Sequence, residues 1–126
     1  MPGASKTTVL VVDDEFLIRW DLASVLEEAG FTTVQAGSAD EAIAVLENDP
    51  TIRVIFTDIQ MPGSMDGLAL ANYVRNRWPP TIIVISSGKF PTDLKGVPTG
   101  TGLLPKPYER SALTSILSNI ETQLAG

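Results

Sequence analysis

Four apolar runs in this chain each stop at a chemically useful side chain. Val54-Ile55-Phe56-Thr57 stops at Asp58, and a loop with Pro62 and Gly63 follows. Val9-Leu10-Val11-Val12 stops at Asp13-Asp14, Thr81-Ile82-Ile83-Val84-Ile85 at Ser86-Ser87, and Leu103-Leu104-Pro105 at Lys106. Short apolar runs bounded by turn residues read as strands buried on both faces, the pattern of a parallel sheet. In an open parallel sheet, ligands bind at the carboxyl ends of the strands, near the point where the strand order reverses. A fold that sets these runs side by side therefore gathers acids, a hydroxyl and an amine along one edge. A lone strand-end Asp is ordinarily a turn cap; four reactive strand ends together give Asp58 a chemical meaning.

Helical patterns separate the runs. The spacing predicts a first helix over about Glu15 to Ala29, ended by Gly30, with Ile18, Leu22, Val25, Leu26 and Ala29 on one stripe. Phe16 and Trp20 point away from that stripe. Phe31 to Gln35 reads as a β-branched outer strand. Ser38 and Glu41 form a capping box that opens a helix running to about Glu47, with Ala39, Ala42, Ile43 and Leu46 facing inward. Gly67 to Arg77 is a third helix with Leu70, Ala71 and Val74 inward, closed by Trp78-Pro79-Pro80. A last helix runs from Tyr108 or Glu109 to Leu124 on an apolar face of Leu113, Ile116, Leu117, Ile120 and Leu124. Between Gly88 and Gly102 the glycines and prolines are too dense for a full helix, and only a turn or two around Pro91 to Lys95 is expected. Strands alternating with helices imply right-handed βαβ crossovers and a parallel sheet, an α/β fold.

Composition narrows the chemistry. The 126 residues read as one domain, 1–126, with a loose start over about 1–6. Cysteine and histidine are both absent. That excludes a disulfide framework, thiolate chemistry and a histidine general base, and it argues against zinc. A net charge of −6 argues against nucleic acid and anionic membrane as partners. Val9 to Val12 is too short for a signal peptide or a membrane span, so a soluble, cytoplasmic protein is expected.

The segments VVDDE (from Val11), TDIQMPGSMDG (from Thr57), VISSG (from Val84) and KPY (from Lys106) stand in an order and spacing that resemble the receiver domains of bacterial response regulators in two-component signalling. The resemblance runs from about Thr8 to Leu124. It implies a flavodoxin-like doubly wound five-stranded parallel sheet of order 2-1-3-4-5 with helices on both faces. That order sets the ends of the first and third strands side by side, so that Asp13, Asp14 and Asp58 converge. It also implies a phosphoacceptor switch, a signalling protein and not an enzyme, that assists its own phosphorylation and dephosphorylation. Asp58 would take a phosphoryl group from a phosphohistidine on a sensor histidine kinase or a histidine phosphotransfer protein.

Three clustered carboxylates call for a raised pKa or a bound cation, and Mg2+ is the hard, oxygen-seeking ion that waits for phosphate. The resemblance implies Asp14, Asp58 and the backbone carbonyl of Gln60 as direct ligands, with Asp13 acting mainly through a water. Lys106 and the Ser86 hydroxyl would meet phosphoryl oxygens, with help from the Ser87 amide, and the Lys106–Pro107 peptide would be cis. In the family the first helix packs against the kinase's histidine-bearing helices, which makes Phe16 and Trp20 partner-binding candidates. The surface around residues 88–108 would change on phosphorylation and be read by a downstream protein that the sequence does not name. Three departures stand out: Leu103 occupies the family's switch-aromatic position, the loop after Asp58 is one residue longer than usual, and the fourth helix is replaced by the Gly/Pro-rich stretch. Two other readings compete. A receiver-like interaction module that ignores phosphate usually lacks an acid or the lysine. A magnesium phosphohydrolase wants a second Asp where Gln60 stands.

Overall fold

The computed structural model describes residues 7–88 and 96–125. Five strands and four helices alternate along them: β1 Thr8–Val12, α1 Phe16–Glu28, β2 Thr32–Ala36, α2 Ala39–Asn48, β3 Ile52–Asp58, α3 Gly67–Arg77, β4 Ile82–Ser87, β5 Gly102–Pro105 and α4 Arg110–Ala125. All strand pairs are parallel and the order is β2-β1-β3-β4-β5, as expected.

The pleat explains why the central runs are apolar throughout. Val9, Val11, Val54, Phe56, Val84 and Leu104 share a core with Leu22, Ala23 and Leu26 of α1 and Leu113 and Ile120 of α4. Leu10, Val12, Ile55, Ile83 and Ile85 share the other core with Ala39, Ala42 and Leu46 of α2 and Leu70, Ala71 and Val74 of α3. Successive side chains point to opposite faces, and both faces are covered, so no position in the middle of β3 can be polar at low cost. Each fully buried Val, Leu or Ile contributes about 1.5–3 kcal/mol relative to exposure. The edge strand β2 is less buried, with Thr32 exposed.

The capping box forms, with one shift. The Glu41 amide donates to Ser38 Oγ at 3.1 Å, while Glu41 Oε1 accepts from the Gly37 amide at 2.7 Å, one residue before the cap. At α3, Asp66 is the cap and accepts from the Ala69 amide at 2.8 Å. Ala29 leaves the predicted stripe: α1 ends at Glu28, Ala29 is exposed, and Gly30 turns the chain at φ 102°. Phe31 is buried but precedes β2. The last helix starts at Arg110, just past the prediction. The expected short helix at Pro91 to Lys95 lies outside the described residues; the part that follows, from Gly96 to Thr101, is turn and bend. Among the described residues no helix is long and apolar enough to cross a membrane.

Candidate functional site

Strand register builds the site. Val12 pairs with Thr57 across β1 and β3, Asp58 pairs with Ser86 across β3 and β4, and Ser87 pairs with Pro105 across β4 and β5. Asp13, Asp58, Ser86 and Lys106 therefore leave the sheet at one level, on four neighbouring strands. The Lys106 amide donates to the Ser87 carbonyl at 2.9 Å, which carries the pairing one residue past β5. The Lys106–Pro107 peptide is cis.

Asp13, Asp14 and Asp58 each offer a carboxylate oxygen, and these lie within 4.8 Å of one another. Asp13 and Asp58 are buried while Asp14 is exposed at the mouth. Lys106 Nζ sits 2.7 Å from Asp13 Oδ2 and 3.4 Å from Asp58 Oδ2. The second Asp13 oxygen accepts from the Glu15 amide at 2.9 Å. Both oxygens of Asp13 are thus engaged by the protein, which leaves it less available than Asp14 or Asp58 as a direct ligand.

The electrostatics follow from burial against pairing. Burial pushes the Asp58 carboxyl above its ordinary range; the charge of Lys106 opposes this, the charge of Asp13 adds to it, and hydrogen bonds from Lys106 and the Gln60 amide pull it down without cancelling the rise. Burial alone would lower Lys106, but its hydrogen bond to Asp13 and the charges of Asp13 and Asp58 hold it above the ordinary lysine value.

The loops are fastened at backbone level. The Ile59 amide donates to the Ser86 carbonyl at 3.2 Å and the Gly67 amide to the Ile59 carbonyl at 2.7 Å. A Cβ on Gly67 would stand 1.6 Å from the Asp58 carbonyl oxygen, so only glycine lets α3 begin there. Thr57 Oγ1 donates to that same carbonyl at 3.0 Å. The longer loop after Asp58 is tied down by Ser64, whose hydroxyl donates to the Asp40 carboxylate at 3.0 and 3.1 Å. Gln60 is exposed at this loop.

Three neighbours of these residues were not singled out from the sequence. Arg19 donates from Nη1 to the Asp13 carbonyl at 2.8 Å and from Nε to Gln35 Oε1 at 3.0 Å, while its guanidinium stacks 5.3 Å from the Phe16 ring centroid. Tyr108 packs against the α1–α4 core and lines a groove beside Lys106; burial raises the pKa of its phenol, and hydrogen bonding from Ser86 and the Lys106 charge only partly offset this. Leu17 is 74% exposed and widens the patch predicted from Phe16 (57%) and Trp20 (54%). Leu17, Ile18 and Asp21 line one side of a groove of about 370 Å³, with Lys106, Pro107 and Tyr108 on the other. The KPY spacing was a usable signal for Tyr108. Leu103, by contrast, packs against the core on the α2–α3 side.

The family profile described as "Response regulator receiver domain" matches residues 9–118. The DNA-binding transcriptional regulator NtrC of Salmonella typhimurium is 38% identical over 104 residues, covering 80% of this chain and 22% of that protein. An NtrX-like response regulator of Rickettsia bellii is 34% identical over 117 residues, covering 90% of this chain and 24% of its own length. The chain thus spans about a quarter of these relatives. A solved structure, a response regulator receiver protein from Sinorhizobium medicae, superposes with a TM-score of 0.82 at 30% identity, covering 93% of this chain and 95% of that one. Fold, strand-edge chemistry and these matches agree that the chain belongs to the response regulator receiver domain family of two-component signalling.

Proposed function

We propose that this receiver domain, taken as one unit over 1–126, is a phosphoacceptor switch in which Asp58 carries the phosphoryl group. The observation that supports it most is the company Asp58 keeps: a buried strand-end carboxylate with an ammonium at 3.4 Å and two further carboxylates within 4.8 Å. The donor set fits magnesium, being all oxygen, acidic and open at Asp14. Asp14, Asp58 and the Gln60 carbonyl would hold the ion, with Asp13 behind a water. When bound, it neutralises charge on the phosphoryl oxygens.

The chain's own residues then divide the work. Asp58 is the nucleophile: a carboxylate oxygen bonds to phosphorus as the donor's P–N bond breaks, and the leaving imidazole nitrogen keeps the electron pair and takes a solvent proton. Such a transfer asks for positioning and charge neutralisation more than for acid–base catalysis. Lys106 would turn from Asp13 toward a phosphoryl oxygen, and Ser86 would donate its hydroxyl to another.

The donor is a histidine kinase or histidine phosphotransfer protein in the cytoplasm, since this chain has no histidine. It docks on Phe16 and Trp20, and an unidentified downstream protein reads the surface around 88–108. Incubation with acetyl phosphate and Mg2+ should label the protein, and Asp58→Asn should abolish the label. Wild-type labelling of the Asn variant would sink the assignment. Trp20→Ala should slow transfer from the partner kinase several-fold and leave labelling by acetyl phosphate unchanged, with little loss of stability because the ring is already half in solvent. Equal slowing with both donors would place Trp20 in the core of the site instead of on a docking face.

A further inference from the structure

We infer that Arg19 is a positioning residue for the magnesium pocket: by holding the Asp13 carbonyl, its guanidinium fixes the peptide that aims the Asp13 and Asp14 carboxylates. The inference rests on the magnesium reading above. β1 ends at Val12, and its ladder to β2 runs one step further, from the Asp13 amide to the Ala36 carbonyl at 3.2 Å. The next peptide, Asp13–Asp14, lies beyond that ladder. Its orientation sets where buried Asp13 and exposed Asp14 point. A carbonyl that leaves a sheet on a buried residue still needs a donor.

Arg19 supplies that donor from α1. Its Nη1 donates to the Asp13 carbonyl at 2.8 Å, and its Nε donates to Gln35 Oε1 on β2 at 3.0 Å. The rigid fork of a guanidinium serves two acceptors in a fixed relation, as a flexible ammonium does not. The Phe16 ring lies 5.3 Å from the guanidinium carbon, and the chain passes so near at Gly37 that a Cβ there would stand 3.4 Å from Nη1. Arg19 thus closes the β1–β2 pair with side-chain bonds where the backbone ladder stops. Groups that orient metal ligands from outside the coordination sphere govern metal affinity. The charge of Arg19 works the other way, because a cation beside the pocket repels Mg2+. Position and charge therefore predict opposite signs for the loss of this side chain.

The Mg2+ affinity of the full chain, read by titration calorimetry, separates the two. Arg19→Met keeps much of the side chain's length and removes its charge and its donors. It should weaken Mg2+ binding about tenfold, the low end for losing a group that orients metal ligands. Gln35→Leu takes away the second acceptor of the fork and should weaken binding about threefold, the size of one modest hydrogen bond. In the Arg19→Met background it should cost about twofold or less, because the fork it steadied is already gone. Unchanged or tighter Mg2+ binding in either single variant would overturn the inference, and so would losses that add in full in the double variant. A lower Tm of metal-free Arg19→Met with unchanged Mg2+ affinity would show a purely structural side chain and overturn it equally. If the wild-type protein binds no Mg2+, the magnesium reading fails first and takes this inference with it.

Discussion

Lys106 sits closer to Asp13 than to Asp58, at 2.7 against 3.4 Å, and this asymmetry decides how well the Asp58 charge is balanced. Asp58 is buried, faces another carboxylate and receives only the longer half of a shared cation, so its pKa in the fold is raised above the ordinary 3.8. Protonated Asp58 therefore stabilises the fold; the benefit is complete below the unfolded value and is lost as pH rises through the folded one. At neutral pH the ionised side chain costs stability. Asp58→Asn should raise the Tm of metal-free protein at pH 7 by a few degrees, and the gain should vanish near pH 3. A fall in Tm at pH 7 would show that the Lys106 contact outweighs burial. At this scale the sequence was most informative about side chains that end strands. Asp13, Asp14, Asp58, Ser86 and Lys106 are brought together where their runs predicted. Arg19 and Tyr108 were not foreseen, because their neighbours in the fold lie far away in sequence. Gln35 is 16 positions from Arg19, and no local pattern encodes that contact.

Among the elements, α3 shows how closely a helix can be fitted to the site. Its first residue lies so near Asp58 that a methyl group would overlap the carbonyl, and its amide holds the Ile59 carbonyl. Gly67→Ala should cost about 3 kcal/mol in denaturant unfolding, since backbone and not a pliable side chain must give way. Gly88→Ala, where the added carbon meets no atom of the described residues within 4 Å, is the control and should be nearly neutral. Equal costs at the two positions would mean that the chain between Asp58 and α3 adapts freely. Helix positions were legible because the 3.6 period and the caps agree: Ser38 and the inward face of α3 behave as read, and Glu41 departs only in reaching the Gly37 amide, one residue before the cap. Ends were less so. Ala29 fits the stripe arithmetic, yet Gly30 has already turned the chain, and the exposure of Leu17 at the start of α1 could not be separated from its apolar neighbours.

For the whole molecule, parallel strands were readable from runs and helices, but their order was not. Alternation says that neighbours in sequence cross over; it does not say that β3 rather than β2 flanks β1 on the side facing β4. The likeness to receiver domains supplied that order, and the register then followed. Because Mg2+ would bind the assembled pocket and not the unfolded chain, it should stabilise by about 2.7 kcal/mol at a hundred times its Kd, visible as a Tm rise that a chelator reverses. Asp14→Asn should remove most of that rise while leaving metal-free stability nearly unchanged, since Asp14 is exposed. A full magnesium response in that variant would move the ion elsewhere.

The two cores meet at the pocket in a particular way. Ile59, Met61 and Met65, which follow Asp58, are rooted in the α2–α3 layer, whereas Tyr108, which follows Lys106, is rooted in the α1–α4 layer. The 3.4 Å gap between Lys106 and Asp58 is thus a caliper whose jaws belong to opposite sides of the sheet. Drawing lysine and acceptor together is mechanically a small shear of one layer past the other. A protein that gripped either face alone would push on one jaw, and so would alter what happens at the carboxylate without touching it.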